Sequence, residues 1–336
     1  MFYKRKRIAI CFISILILIL STLFTGCLRQ DLPPIKQGNI YKDFSVNFLD
    51  VGQGDCIFIR LPDEKNLLID CALNDASGQN SKLIVKTLED YSVEKIDYFI
   101  LTHPDLDHIG NAKDILNNFA VENLYVPYIS PVMIDAFAYY KEVVELAEAK
   151  GSKLIVSDYT IAMKERDYTL AFLSPLPKGF DESSYDELSS VEYPTDSQIN
   201  NLSPIIYFEC CGKRFVFTGD AGKKQEEIVI EEYELGIYDL LFKSKDIKVN
   251  LENIDYLKVS HHGSDGATKE EFLSLLRPKN FIISVGQDNF YGHPKSEVLE
   301  LIALICPESK IYRTDQNGTI TIHKDNENKV VISTAK

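Results

Sequence analysis

The stretch THPDLDHIG, residues 102–110, places His103, Asp105, Asp107 and His108 within six positions. The chain has only six histidines, and two of them are here. Imidazole nitrogens alternating with carboxylate oxygens are a ligand set for a divalent cation of borderline hardness. The apolar run DYFIL, 97–101, lies just upstream. The cluster therefore belongs at the carboxyl end of a strand, where α/β folds gather their ligand-binding loops. Aspartates in turns also cap helices and stay solvated on ordinary surfaces, so the reading depends on partners elsewhere in the chain.

Such partners exist. His261 and His262 stand in HHGSDG, and His293 stands in YGHP. Asp70 closes the apolar run NLLID, and Asp220 closes FVFTGD. Asp70 suits either a helix cap or a carboxylate that orients neighbouring loops. His323 sits mid-strand without chemical neighbours in sequence and is expected to be structural.

These residues need a frame. FSVNFL (44–49), CIFIRL (56–61) and NLLID (66–70) have the composition of strands. KLIVKTLEDY (82–91) has helical spacing and precedes the buried-type strand DYFIL. A helix over NAKDILNNF (111–119) leads away from the first cluster, followed by the strand ENLYVP (122–127). The next helix runs through AFAYYKEVVELAEAKG (136–151), where Gly151 can end it. Residues 176–199 are acidic and Pro-containing, and read as a surface loop flanking the site. SPIIYFECC (203–211) and KRFVFTGD (213–220) predict a hairpin with Gly212 at its turn, then a helix over KKQEEIVIEEY (223–233). Residues 234–253 read as an inserted loop, and the strand YLKVS (256–260) runs directly into the histidine pair. Helix KEEFLSLL, strand NFIISVG, helix KSEVLELIAL and the strands GTITIHK and KVVIST complete the chain. Strand-rich halves, each followed by helices, predict an α/β fold of αββα type, with two packed mixed β-sheets flanked by helices.

The chain begins MFYKRKRIAICFISILILILSTLFTGC, with a basic start, an apolar stretch from Ile8 to Leu20 and small residues before Cys27. That order reads as a secretory leader, since the apolar stretch is short for a membrane-spanning helix, which needs about 20 residues; an uncleaved N-terminal membrane anchor is the alternative, and both place residues 28–336 outside the cytoplasm. Residues 28–43, polar with a Pro pair, read as a tether, and 44–336 as one large domain. The net charge is −14, and removing the four positive charges of Lys4, Arg5, Lys6 and Arg7 leaves −18. A body that acidic offers no basic stripe to hold polyanions. Five cysteines follow Cys27 at irregular spacing, including the adjacent pair Cys210 and Cys211. They imply neither a disulfide framework nor a CxxC zinc site, and are expected to be buried as small apolar residues.

THPDLDHIG resembles the HxHxDH signature of the metallo-β-lactamase superfamily, with Asp105 in place of the second histidine. FLDVGQGDCIFI (48–59), FTGDA (217–221), LKVSHHGS (257–264), SVGQDNFYGHP (284–294) and RTDQNGTI (313–320) extend the likeness. In order and spacing the six motifs resemble the extracellular hydrolase domain of ComEC-type competence proteins, over roughly residues 44–325. LFTGC (23–27) resembles the lipobox of bacterial lipoproteins, in which the cysteine becomes the lipidated N-terminus; Phe24 replaces the usual leucine. Departures are specific. Asn111 stands where the family often has a second glycine, and Cys71-Ala72 where it often has Ala-Gly. NNLSPIIY (200–207) resembles the family's Asn/Ser stretch, with Pro204 intruding at a strand start. No histidine lies between His108 and His261, so the superfamily's separate histidine is missing and one metal position is poorer in nitrogen.

The alternation after the strand points His103 and Asp105 to one side and Asp107 with His108 to another. Asp220 arrives from the second half as a carboxylate able to bridge two cations, and one histidine of HHGS, His262 in preference, completes the second set. Two divalent ions about 3.5–4 Å apart would polarise phosphoryl oxygens and activate water. The additional carboxylate favours Mn²⁺ as well as Zn²⁺. Asp107, His261 and His293 are the expected catalytic residues, the two histidines as phosphate contacts or as acid for the leaving oxygen.

The expectation is a lipid-anchored metallohydrolase on the outer face of a bacterial membrane, acting on phosphodiesters with extracellular DNA as the leading substrate, and needing no obligate protein partner. A phosphorylcholine-type ester of teichoic acid is the alternative, since choline-binding phosphorylcholine esterases share the HxDxDH and HHG pattern, although choline-binding repeats are not evident here. A lactam or lactone suits the nitrogen-poor site less well. A metal-binding module without turnover would be expected to have lost a ligand, and all six core ligands are present. The acidic body weighs against tight, processive nucleic-acid binding.

Overall fold

Side chains on successive residues of a strand point to opposite faces, and this alternation builds the layers. Phe215 and Phe217 join the apolar cluster between the sheets, whereas Val216 joins the one beneath the outer helices. The structure, a computed structural model, describes residues 43–180 and 183–336. The leader, Cys27 and the tether up to residue 42 lie outside the described residues.

In the first sheet β1 (Ser45–Phe48), β2 (Ile57–Arg60) and β3 (Asn66–Ile69) form an antiparallel meander. It continues in parallel through β4 (Lys95–Ile100), β5 (Ala120–Val126) and β6 (Lys153–Val156). The second sheet contains β7 (Ala162–Lys164), β8 (Tyr168–Phe172), β9 (Ile206–Cys210) and β10 (Lys213–Phe217), all antiparallel neighbours. From β10 it runs parallel through β11 (Tyr256–Lys258), β12 (Asn280–Ile283) and β13 (Lys310–Arg313). The chain then returns to the first sheet, where β14 (Ile320–Lys324) pairs with β1 and β15 (Val330–Thr334) closes the edge.

Three apolar layers result. Val46, Phe48, Ile57, Phe172, Phe208 and Phe217 fill the space between the sheets. Ile84 and Leu88, one turn apart on the helix Gln79–Asp90, pack on the outer face of the first sheet with Phe58, Leu68 and Phe99. On the outer face of the second sheet, Val298 and Ile302 of the helix Ser296–Ile305 meet Leu257 and Phe281. Fully burying one such side chain stabilises the fold by roughly 1.5–3 kcal/mol. This is the expected αββα arrangement.

The structure adds elements that the sequence pattern does not announce. β6, β7 and β13 are short strands at sheet edges, with mixed or exposed faces and therefore weak alternation. The acidic segment 176–199 contains the short helix Ser184–Glu187 and begins another, Asp196–Asn200, whose start is closed by a Thr195–Gln198 capping box. Tyr185 and Leu188 from this segment pack with Met133 and Leu202 in a small satellite core. Residues 234–253, expected as an inserted loop, include the helix Ile237–Leu241, and Tyr238, Phe242 and Leu251 seal the outer face of the second sheet. His323 is buried in β14 with Nε2 2.8 Å from Ser333 Oγ, as expected for a structural histidine. Cys56, Cys71, Cys210, Cys211 and Cys306 are free thiols, all buried except the half-buried Cys211. Among the described residues no helix is long and apolar enough to cross a membrane.

Candidate metal centre

The polar residues converge where strands of both sheets end. Asp70 follows β3, Thr102 and His103 follow β4, Asp220 follows β10, His261 and His262 follow β11, and Ser284 follows β12. Asp105 is extended and opens the single-turn helix Leu106–Ile109, which carries Asp107 and His108. The loop before β2 lies against that turn. Gly54 has φ +116°, and a Cβ there would sit 2.1 Å from the Asp107 carbonyl oxygen, so the contact requires glycine.

Each inward histidine is held through its Nδ1. His108 Nδ1 lies 2.7 Å from Asp70 Oδ2, and Asp70 also accepts from Thr102 N and Thr102 Oγ1, both at 2.8 Å. His262 Nδ1 donates to the Ser284 carbonyl oxygen at 2.8 Å. His103 Nδ1 lies 3.0 Å from Thr102 Oγ1 and 3.2 Å from Ser203 Oγ. In each ring Nε2 is left to face the centre, the arrangement that fixes a metal-ligating imidazole.

Those Nε2 atoms are buried without a hydrogen-bond partner, and so is Asp220 Oδ1. A buried polar atom left unpaired costs roughly 1–3 kcal/mol, so several aimed at one point suit a shared cation. Asp220 Oδ1 is 3.2 Å from His108 Nε2 and 3.5 Å from His262 Nε2, without hydrogen-bond alignment. Asp107 Oδ2 is 3.5 Å from His262 Nε2, and Asp105 Oδ2 is 3.5 Å from His103 Nε2. Ligands about 2.1 Å from a shared tetrahedral ion have separations of this size. Two donor sets emerge, Asp107–His108–His262 and His103–His108–Asp220, each within 4.8 Å. They adjoin through His108 and Asp220. The residues present therefore fit divalent cations.

The electrostatics are those of a strongly coupled cluster. Burial opposes charge on His108 and His262, but Asp220 outweighs it, with Asp70 and Asp107 adding at His108 and Asp107 adding at His262; both imidazoles are pushed above their ordinary value. Burial likewise opposes ionisation of Asp107 and Asp220, yet the adjacent His108 and His262 hold both well below the usual carboxylate range. Behind this wall the fully buried Lys258 pairs with Asp55 and donates to the Gly219 carbonyl oxygen at 2.9 Å. Asp55, Asp70 and His108 also group within 4.8 Å, but the Lys258 ammonium already sits on Asp55.

His261 and His293 lie at the opening. His261 adopts φ +47°, is 31% exposed, and sets Nε2 3.6 Å from Asp220 Oδ2 while Asn200 Nδ2 lies 3.3 Å from its Nδ1. Burial, His262 and His103 together lower its pKa, against the pull of Asp220. The His293 ring meets that of His261 edge-on at 5.6 Å. Burial, then His261 and His262, push His293 down to about 4, so it is neutral near pH 7.

The sequence model described as metallo-beta-lactamase superfamily matches residues 49–287. The chain belongs to the metallo-β-lactamase superfamily. It is related to competence proteins of ComEC type. It is 30% identical over 290 residues to ComE operon protein 3 of Bacillus subtilis, covering 82% of this chain and 32% of that protein. It is 26% identical over 281 residues to Recombination protein 2 of Haemophilus influenzae, covering 83% and 29% respectively. The chain thus spans about a third of the length of these curated relatives. Among solved structures, the metallo-beta-lactamase fold protein YhfI from Bacillus subtilis is 10% identical with a TM-score of 0.47, over 83% of this chain and 100% of that one.

As a superfamily hydrolase, the chain has a candidate site into which its departures fit. Asn111 replaces a glycine with a working side chain, since its Nδ2 donates to the carbonyl oxygens of Cys71 at 2.7 Å and Leu73 at 3.0 Å. Ala72 adopts φ +60°, the region that favours glycine. The segment 200–203, which carries the Asn/Ser stretch, brings up Asn200 against His261 and Ser203 against His103. The structure brings together all eight candidate catalytic and metal-ligating residues, with the side chains of Asp105, His261 and Asp107 38%, 31% and 26% exposed. Sequence reasoning assigned no role to Asp55, Lys258, Asn200 or Ser203. A lysine inside the apolar run YLKVS was the available signal.

Proposed function

We propose that the chain is a membrane-tethered phosphodiesterase on the outer face of a bacterial cell, cleaving nucleic acid. The observation that carries this reading is a pair of adjoining donor sets that share His108, with Asp220 of one set 3.5 Å from His262 of the other and the side chains of His261 and His293 at their opening. Divalent ions, when bound, polarise phosphoryl oxygens and lower the pKa of water. His103 and Asp105 on one side, and Asp107, His108 and His262 on the other, would hold them, with Asp220 between. This mixed nitrogen and carboxylate set accepts Mn²⁺ as well as Zn²⁺.

The chain's own groups divide the remaining work. Asp107 stays anionic and reaches the opening, where its carboxylate can accept a hydrogen bond from the attacking water and orient it. His261 and His293 are placed to donate hydrogen bonds to non-bridging phosphoryl oxygens, and Asn200 keeps the His261 ring in position. The leader and the lipobox-like LFTGC support a lipid tether at Cys27.

A substrate panel tests the activity. The purified chain, loaded with Mn²⁺ or Zn²⁺, is offered single- and double-stranded DNA, RNA, bis-nitrophenyl phosphate, a phosphorylcholine ester and a chromogenic β-lactam. Diester cleavage is expected. Turnover of the phosphorylcholine ester or the lactam with every diester untouched would overturn the reading. For the tether, Cys27→Ser should leave the membrane fraction, and unchanged partitioning would refute it.

A further inference from the structure

We propose that Phe290 and Tyr291 form a stacking ledge for an unpaired nucleobase beside the metal centre. The inference rests on the nucleic-acid reading above. Phe290 is 106% exposed and Tyr291 63% exposed, so neither ring is spent on the core. Two adjacent aromatic rings held in water need a reason that folding does not supply.

The loop that carries them is tied down. Asn289 Nδ2 donates to the carbonyl oxygens of Gly286 at 3.0 Å and His293 at 2.8 Å, and Asn289 Oδ1 accepts from His293 N at 3.0 Å. Lys295 Nζ donates to the Tyr291 carbonyl oxygen at 2.7 Å. Lys295 N donates to the Gly263 carbonyl oxygen at 2.9 Å, joining this loop to the histidine turn. Gly263 has φ +85°, and a Cβ there would lie 2.5 Å from Pro294 Cβ, so the two loops pack without spare room. The backbone of this loop is therefore anchored beside His262, and the Tyr291 ring is set by stacking on His293.

Rings run from solvent to the centre without interruption. Tyr291 lies parallel to His293, 11° apart in plane with centroids 5.7 Å apart, and His293 meets His261 at 5.6 Å. His261 Nε2 is 3.6 Å from Asp220 Oδ2. A base flanking the scissile phosphate can reach the outer rings while that phosphate occupies the opening.

The chemistry of the rings selects the occupant. A chain of net charge −14 gains little from phosphate contacts, so affinity for a strand must come from its bases. Aromatic side chains provide this without reading sequence. A quaternary ammonium needs rings that close around it, whereas Tyr291 is backed by His293 and Phe290 is fully open. A platform of this kind suits a flat base, and only a base released from a duplex can lie on it.

The test compares the full chain with a Phe290→Ala/Tyr291→Ala double variant on a short single strand, an abasic strand of equal length, and a phosphorothioate strand carrying 2-aminopurine. The wild type should show a KM for the base-bearing strand lower than for the abasic strand by on the order of tenfold, the size of one stacked base. That gap should collapse in the variant. Fluorescence of 2-aminopurine should be quenched on binding to the wild type and not to the variant. Equal KM values for the two strands in the wild type, or equal quenching by both proteins, would overturn the ledge. Quenching by a wild type that cleaves no diester would keep the ledge and remove the phosphodiesterase reading. A change in tyrosine emission caused by phosphorylcholine, and not by the strand, would replace the base with a choline head group.

Discussion

On one side of Asp220, Asp107, His108 and His262 form a set whose two imidazoles are fully buried and each clamped behind, by Asp70 and by the Ser284 carbonyl. On the other side stand His103, steadied only by the hydroxyls of Thr102 and Ser203, and the partly exposed Asp105. A ligand held in place by a second layer loses less conformational freedom when an ion arrives. The first position is therefore pre-formed, and the second is assembled in part by the ion itself. The two should differ in affinity and fill in sequence.

The largest expected effect is at Asp220, which groups with His103 and His108 and lies 3.5 Å from His262 Nε2. Asp220→Ala should weaken both positions by more than about 10²-fold and abolish turnover, as read by elemental analysis of the dialysed protein. Full occupancy in that variant would end the bridging assignment. Next, calorimetric titration should separate the two sides. His262→Ala removes the tight binding step, while Asp105→Ala spares it and removes the weaker one. An Asp105 variant that lost the tight step would invert the comparison.

A smaller effect is expected behind the ligands. Asp70→Asn should reduce affinity in the tight position by about 10- to 100-fold, because His108 loses the carboxylate that fixes its ring. An equal loss at both steps would show that the second layer does not distinguish them.

The smallest effect concerns pH. In the ion-free cluster the pKa values of His108 and His262 are raised above the ordinary 6.5, so their pairing with Asp220 and Asp107 stabilises the fold fully below that value. The contribution is lost as pH rises through the raised values. Asp107 and Asp220, depressed below 3.8, contribute above that pH and lose it as pH falls through their lowered values. Ion uptake needs neutral imidazoles, so affinity at the tight position should climb by about tenfold per pH unit for each proton displaced. Calorimetry in buffers of different ionisation enthalpy counts those protons. Uptake without proton release would contradict the charged state assigned to the empty cluster.

Much of this protein could be read without coordinates, because the signals are local. The run DYFIL ending in THPDLDH places the first ligands after a strand, and FVFTGD and YLKVSHHGS repeat that logic in the second sheet. Buried strands such as β4 and β10 show themselves in composition; the edge strands β6, β7 and β13 do not, and neither does β8, although it is buried inside the second sheet. Which histidine of the pair turns inward was not decidable from types and spacing. Both adopt positive φ, at +47° and +53°, and only the carbonyl of Ser284 behind His262 selects it. The Asp55–Lys258 pair, Asn200 against His261 and Ser203 against His103 join residues 61 to 203 positions apart. Residue type and short spacing fix what a side chain can bind and which strand ends carry it. Packing of the two sheets decides which side chains share one buried volume, because charge and unpaired donors are compensated only by neighbours that the fold brings within a few ångströms.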